Sequence, residues 1–212
     1  AFDPYGDVED PLAKQADIWG YVWRLGYEQP DRFKVVFEQG YASGDANVAD
    51  QDFTGRPLHA DHNVGLLLYE EVIARVTSEM WTETARGLWS NGGVYNSRYI
   101  FPTAHYYPME DTELLAGFLM AWPDRPDGAF IRCVEGEGCD QALATSKALG
   151  WEFDWGVKTR WHEHLLFSLE AGYAHATDRL PLEQVGLSRF TREDEAPRGN
   201  FFTVQSRMAW EF

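Results

Sequence analysis

The end of the chain alternates regularly between apolar and polar residues. One row of the stretch NFFTVQSRMAWEF is apolar and consists of Phe202, Val204, Met208, Trp210 and Phe212. Only Ser206 interrupts this row. A period of two places the two rows on opposite faces of a β-strand. The strand is either half-buried in a soluble sheet or crosses a membrane, which requires about 9–11 residues.

The same alternation predicts three hairpins earlier in the chain. Their strands are DIWGYVWRLGYE with RFKVVFEQGYA, VYNSRYIFPTAHYY with TELLAGFLMAW, and LGWEFDWGVKTRW with LLFSLEAGY. Pro102 and Pro108 are expected to restrict their strand to a bulge or an end, because proline lacks the N–H that a β-ladder needs. With the last segment, the pattern predicts seven strands of roughly ten to fourteen residues, longer than the usual length of about 5–6.

The connections between these strands alternate between short and long. Short turns lie at residues 29–31, 108–111 and 161–163, and long connections lie at 42–93, 123–148 and 178–200. Outer-membrane barrels have this layout, with short periplasmic turns and long extracellular loops. A soluble β-sandwich has no reason for the asymmetry.

Charged side chains occupy the row opposite the aromatic residues. They are Arg24, Lys34, Glu38, Glu152, Asp154, Lys158, Arg160, Glu170 and Arg207. If the aromatic rows face outward, these charges require a water-filled lumen, because burying them without water is costly. A soluble sandwich with buried aromatic faces would also leave them in water. Strand length and loop asymmetry favour an all-β antiparallel transmembrane barrel, with the nine residues lining its lumen.

Composition narrows the classes of partner and compartment. Thirty-four acidic and eighteen basic residues give a formal charge of -16, which argues against a nucleic-acid partner. Aromatic residues make up 15% of the chain, a content that suits a membrane interface. The longest apolar run, VGLLLY, is far shorter than the ~18 residues of a spanning helix.

Two cysteines, Cys133 and Cys139, flank the short segment VEGEG. Glycines in that segment allow the chain to turn back, so a disulfide is sterically allowed and would indicate an oxidising compartment. Zinc is disfavoured because two further ligands are not nearby. Reduced thiols are the alternative.

The last strand resembles the C-terminal insertion signal of bacterial outer-membrane proteins, through Phe202, Val204, Met208, Trp210 and Phe212. The resemblance implies recognition by the barrel assembly machinery and contact with outer-membrane lipid. It also implies a Gram-negative outer-membrane location, with the C-terminus in the periplasm.

The run Tyr41, Ala42, Ser43, Gly44 and Asp45, with Asp50 and Asp52 following, resembles the alginate-export family of outer-membrane barrels. In that family a strand with this ending leads into an Asp-rich loop. The resemblance implies a porin that passes carbohydrate, with this chain similar to the C-terminal part of such a barrel.

Four oxygen ligands lie close together in the same loop, at Asp45, Asn47, Asp50 and Asp52. Their density suits Ca²⁺, although the full spacing of an EF-hand is missing. The two interpretations are a Ca²⁺ site and a solvated acidic loop. No other cofactor is expected.

The long extracellular loop at residues 44–93 contains a helical pattern. Apolar residues recur at helical spacing at Leu66, Tyr69, Val72 or Ile73, Val76 and Met80. A helix here would fold into the lumen and narrow it, or lie on the surface of the loops. An irregular strand pair is the remaining alternative.

Catalytic candidates lack a supporting motif. The segments HADH and WHEH contribute His59, Asp61, His62, His162 and His164, and Ser43 and Ser90 are candidate nucleophiles. None is surrounded by a base, an orienting acid and an oxyanion site. We therefore predict a non-enzymatic outer-membrane channel for small polar or carbohydrate solutes. The alternatives are an outer-membrane hydrolase with a loop-borne site and a soluble carbohydrate-binding β-sandwich.

An odd strand count bears on closure of the barrel, because single-chain bacterial barrels have an even number of strands. Open edges in hydrocarbon would leave backbone groups unsatisfied. We therefore expect an N-terminal segment of the same precursor to pair with the first and last strands. The alternative is an eighth strand within Val64 to Arg86.

Overall fold

The computed structural model describes residues 15–45, 52–59, 61–79, 90, 92–125, 133–134, 138–139, 146–161, 164–180, 182 and 199–210. Its main sheet contains seven long strands, as the alternation predicts. They are β1 (Gly20–Gln29), β2 (Phe33–Ala42), β3 (Ser97–Met109), β4 (Thr112–Pro123), β5 (Gly150–Trp161), β6 (Leu165–Ala176) and β7 (Gly199–Trp210). The prediction of an all-β antiparallel chain is confirmed.

The seven strands pair in sequence order, each antiparallel to the next. Each hairpin is closed by two or three residues, whereas the other connections are long. All short connections therefore lie at one end of the sheet, the turn end, and all long ones lie at the loop end. Within the described part of the chain the sheet is not closed, and β1 and β7 are its edges.

Pro102 lies inside β3 and does not end it, contrary to the expectation. The residue pairs with Phe37 of β2, but the pairing of β3 with β4 passes from Ile100 to Thr103 without including it. Interrupting one ladder for two residues accommodates the missing N–H. A register shift follows between Tyr106 and Met109, where the strand approaches its turn.

The pairing register divides the strands into two faces. One face, the apolar face, carries most of the large hydrophobic side chains of the strands, and many of them are strongly exposed. These include Trp23 at 50%, Trp161 at 63% and Met208 at 69% exposure. Among the paired strand positions of this face, Arg98 is the one residue with a permanent charge, and it lies at the loop end. The chain therefore presents a broad apolar surface on one side.

Cross-strand aromatic pairs organise the apolar face. Ring centroids are 5.6 Å apart for Tyr21 and Tyr41, and 6.1 Å apart for Trp23 and Phe37. Such pairs stabilise neighbouring strands through contact and through the favourable geometry of their rings. They order this face even though no other element covers it in the described part of the chain.

The opposite face, which we call the charged face, carries the charges. All nine residues predicted to line a lumen lie on it, in β1, β2, β5, β6 and β7. Several of its positions are glycines, and at Gly40 an added Cβ would lie 2.2 Å from the Tyr99 ring. The small residue makes room for a large side chain on the next strand.

A helix from the long loop covers the loop end of the charged face. Residues Leu68–Ile73 are π-helical and continue as an α-helix at Ala74–Glu79. The buried core lies between this loop helix and the sheet: its apolar residues Leu68, Val72 and Ile73 share one cluster with Tyr99 and Leu119. The predicted helix is confirmed, and the strand alternative is wrong for Val64 to Glu79. Met80 lies outside the described residues.

Two short strand pairs complete the described backbone. Gln15–Ala16 pairs in parallel with Asp52–Phe53, and Cys133–Val134 pairs with Gly138–Cys139 so that the two cysteines are register partners. The cysteine side chains lie outside the described residues, and the disulfide stays a prediction. No helix in the described part of the chain is long and apolar enough to cross a membrane.

Candidate functional site

A single carboxylate on β5 binds the start of the loop helix. Glu152 accepts N–H groups from Leu66 at 2.5 Å and Leu67 at 2.8 Å on Oε1, and from Leu68 at 2.7 Å on Oε2. The first N–H groups of a helix lack partners within the helix, and Leu67 at the N-cap has no polar side chain to supply one. Glu152, from a distant part of the sequence, takes that role.

Gly65 allows the close approach of the loop to Glu152. Its φ of +74° is a left-handed conformation that side chains disfavour, and an added Cβ would lie 2.7 Å from Glu152 Oε2. Both constraints require glycine. The loop backbone therefore passes directly over the carboxylate.

Asp154 lies two residues further along β5 on the same face, so its buried carboxyl group neighbours that of Glu152. Two neighbouring carboxylates that are both buried repel each other strongly when both are ionised, so we expect the pair to hold one proton. Asp154 is 4% exposed, and its Oδ1 is buried with no hydrogen-bond partner among the described residues. Buried polar atoms normally have partners, which marks this atom as unusual.

Glu70 adds a third carboxylate on the loop helix. Its Oε1 is also buried without a hydrogen-bond partner in the described part of the chain. Burial raises the pKa of Glu70, and the nearby carboxylates of Glu71 and Glu152 raise it further. The underside of the loop helix is therefore acidic where it meets β5.

A second contact holds the loop against β2 and β3. The Tyr99 hydroxyl donates to Glu38 Oε1 at 2.5 Å, and His62 Nε2 lies 2.8 Å from the same hydroxyl. Because the hydroxyl proton points to Glu38, the Tyr99 oxygen accepts from His62 Nε2–H. Arg24 of β1 pairs with the other oxygen of Glu38. This network joins three strands to the loop.

Acidification is expected to loosen the loop at His62. Burial lowers the pKa of His62, and Arg24 lowers it further, although Glu38 opposes both effects. The docked loop thus favours neutral His62, so its stability is fully present above the ordinary value of about 6.5 and declines as pH falls below it. As the pH is lowered from about 7 to about 5, proteolysis of the loop should accelerate in the wild type. The variant His62→Gln should remove that acceleration, and an equal pH response in both would contradict the assignment.

The turn end of the charged face is not covered by the loop helix. Lys158 pairs with Glu170 at 3.5 Å, and His105 binds Glu113 across the β3–β4 hairpin. Arg207 lies on the same face and is exposed. Charged groups of both signs thus line the turn end, whereas the loop helix and its apolar core cover the loop end.

The nine predicted charged residues form separate groups within their shared face. Arg24 joins Glu38, Glu152 joins Asp154, and Lys158 joins Glu170. The sequence did not single out Tyr99 and Gly65. A tyrosine on the polar row of β3 was the available signal for Tyr99, whereas nothing in the sequence marked Gly65 as lying over Glu152.

The candidate Ca²⁺ ligands are only partly described. Asp45 is buried, and its Oδ2 accepts the Thr54 N–H at 3.4 Å. Asn47, Asp50 and the side chain of Asp52 lie outside the described residues. Elsewhere in the described chain, no group of three or more His, Cys, Asp or Glu side chains is arranged to bind a metal.

The catalytic candidates take part in structural hydrogen bonds. Ser43 Oγ accepts the Trp19 N–H at 3.0 Å, and Ser90 Oγ lies 3.0 Å from the Thr77 hydroxyl. His59 Nδ1 accepts the N–H of Asp61, and both residues are exposed on the loop. These contacts order the loop and its connections.

The apolar face contains a groove of 640 Å³. Small residues, Pro102, Ala104 and Ala116, form its floor between larger side chains such as Phe37 and Phe118. The groove is deep here because Ala104 of β3 and Ala116 of β4, both small, are register partners.

The residues of the predicted insertion signal share one face. Phe202, Val204, Met208 and Trp210 all point to the apolar face and are exposed, and Phe212 lies outside the described residues. A scan of protein-family models and a search of curated proteins find no match to this sequence. The resemblance to the alginate-export family therefore stays a prediction.

Proposed function

We propose that the chain forms part of the wall of an outer-membrane channel, with the apolar face in contact with lipid and the charged face toward a water-filled lumen. The observation that carries this proposal is the distribution of side chains between the faces. Large aromatic residues are exposed, whereas carboxylates such as Glu152 and Glu38 are buried on the other face beneath a loop. Soluble proteins rarely expose an apolar surface of this breadth.

Strand dimensions support the same proposal. The seven strands contain ten to thirteen residues. About 9–11 tilted residues suffice to cross a bilayer. Short connections at one end and long ones at the other match the periplasmic and extracellular sides of such proteins. A soluble β-sandwich would instead need a second sheet over the aromatic side chains.

Open edges bear on how the wall closes. Since β1 and β7 are both odd members of an antiparallel series, they run in the same direction. A second copy in the same orientation would therefore meet each edge in parallel. A segment with an odd number of strands would satisfy both edges with antiparallel pairing and give an even total. We propose that the N-terminal segment of the same precursor supplies it.

The loop helix acts as a constriction in this proposal. It occupies the charged face at the loop end, so solutes would pass between the helix and the remaining wall. Selectivity would then depend on the size of this passage and on the charges at the turn end, including Lys158 and Glu170. The resemblance to alginate-export porins makes carbohydrates the first solutes to test.

Channel activity can be measured directly in planar bilayers and in vesicles. The purified precursor, which includes the N-terminal segment proposed to close the wall, should give discrete conductance steps. Vesicles containing it should swell in small sugars more rapidly than in large ones. A heat-denatured sample serves as the control. Folded protein that produces neither conductance nor swelling would argue against a channel, and release of protein from cells without detergent would favour the soluble alternative.

A further inference from the structure

We propose that Glu152 and Asp154 form a proton-linked latch that positions the loop helix on the charged face, and that loss of their shared proton releases the helix. Glu152 is completely buried and accepts three backbone N–H groups at the start of the helix. Charge-assisted hydrogen bonds of this kind are the stronger ones in proteins. The carboxylate therefore fixes both the position and the direction of the helix start.

Asp154 makes the latch depend on a proton. Its buried carboxyl group lies beside that of Glu152, an arrangement that is stable only while one of the two groups is protonated. Glu152 accepts all three N–H groups at the start of the helix. Asp154 is therefore the group that holds the proton. Losing it would place two negative charges side by side in a buried site, which is unfavourable.

Neighbouring groups would not compensate a second negative charge. The charged groups near the pair are carboxylates: Glu70 of the loop helix lies near Glu152, and Glu170 of β6 lies near Asp154. The register positions beside the pair on β4 are Leu119 and Gly117, and those on β6 are Ala174 and Gly172. Lys158 lies further along β5 and pairs with Glu170.

The direction of the pH effect follows from the shared proton. The docked loop binds a proton that the undocked loop, with both carboxylates in water, releases at lower pH. The contribution of this carboxyl pair to docking of the loop is therefore largest at acidic and neutral pH, and it decreases as the pH rises. This effect is opposite in sign to that of His62, which loosens the loop at low pH. The loop is therefore docked most stably at intermediate pH, where His62 is neutral and the carboxyl pair keeps its proton.

The consequence for solute flow rests on the proposed channel, whereas the latch itself does not. If the channel proposal holds, release of the helix at high pH would widen the passage and raise the conductance. Hydrogen exchange tests the latch independently, because it reports on the loop amides whether or not the protein conducts.

The test measures amide exchange of Leu66 to Leu68 by mass spectrometry from about pH 6 to about pH 10, in detergent-solubilised protein. Wild type is compared with Asp154→Asn at each pH, so that the chemical exchange rate cancels. Asn at this position donates a hydrogen bond to Glu152 without a titratable proton. Glu113→Gln removes another carboxylate of the charged face, away from the loop helix, and is the matched control.

As the pH rises through this range, the amide protection of Leu66 to Leu68 should fall in the wild type and in the Glu113→Gln control. Relative to the protection in Asp154→Asn at the same pH, the fall should be about tenfold or more. Glu152→Gln, whose amide can donate to Asp154, should also be insensitive to pH, with weaker protection throughout. This second variant keeps the test valid if Asp154→Asn does not fold. A constant ratio between wild type and both variants would overturn the latch, whereas absent conductance with the expected exchange would overturn only the channel.

Discussion

Val204→Arg is expected to prevent stable folding into a bilayer, whereas Gln205→Arg leaves it nearly unchanged. The two residues are neighbours on β7, near its middle, and both side chains are exposed in this chain. They differ in face: Val204 is 55% exposed on the apolar face, and Gln205 lies on the charged face opposite Glu170. Arginine in contact with the hydrocarbon core costs about 2–4 kcal/mol, and arginine beside a carboxylate in a wet lumen does not.

Folding into lipid vesicles at increasing urea concentration measures this difference. Gln205→Arg is the matched control, because it introduces the same side chain at an adjacent exposed site. If the apolar face were exposed to water, both substitutions would be nearly neutral, within about 0.5 kcal/mol. Equal urea midpoints for the two variants would therefore contradict the membrane orientation of the sheet.

Periodicity was sufficient to predict the strands and their faces. In β5 the alternation of Trp151, Phe153 and Trp155 with Glu152 and Asp154 assigns each residue to one face, because successive side chains in a strand point to opposite sides. The short turns also fixed the order of pairing within hairpins. These features are local, and local patterns can be read directly from a sequence.

The contacts of the loop could not be predicted in the same way. Glu152 and Leu67 are 85 residues apart in the sequence, and their hydrogen bond depends on how the loop folds back over the sheet. The pattern predicted charges facing water, whereas Glu152 and Asp154 are buried beneath the helix. A period of two identifies the face of a residue but carries no information about what covers that face.

Proline in β3 illustrates a second limit. Sequence rules place proline at strand ends and bulges, because its missing N–H breaks a ladder. Pro102 lies in the middle of a strand, where pairing with β2 continues and pairing with β4 is interrupted. Whether a neighbouring strand tolerates such a gap depends on tertiary context, which the local sequence does not encode.

Leu68→Ala is expected to release the loop helix from the sheet. Leu68 is fully buried in the core between the helix and the strands, and its side chain approaches Gly150 of β5. Truncating a buried leucine to alanine typically costs about 2–5 kcal/mol. That cost would raise the undocked fraction of the loop about 30-fold or more, since each 1.4 kcal/mol corresponds to a factor of ten.

Cleavage within residues 64–79 by a soluble protease measures the undocked fraction, and single-channel recording measures its effect on flow. Glu71→Ala is the matched control, because Glu71 is exposed on the same helix and its side chain lies outside the core cluster. Leu68→Ala should be cleaved faster than the control and should show larger, noisier conductance steps. Faster cleavage with unchanged conductance would mean that the helix docks on the sheet without narrowing the passage, and equal cleavage of the two variants would mean that the apolar core does not hold the loop in place.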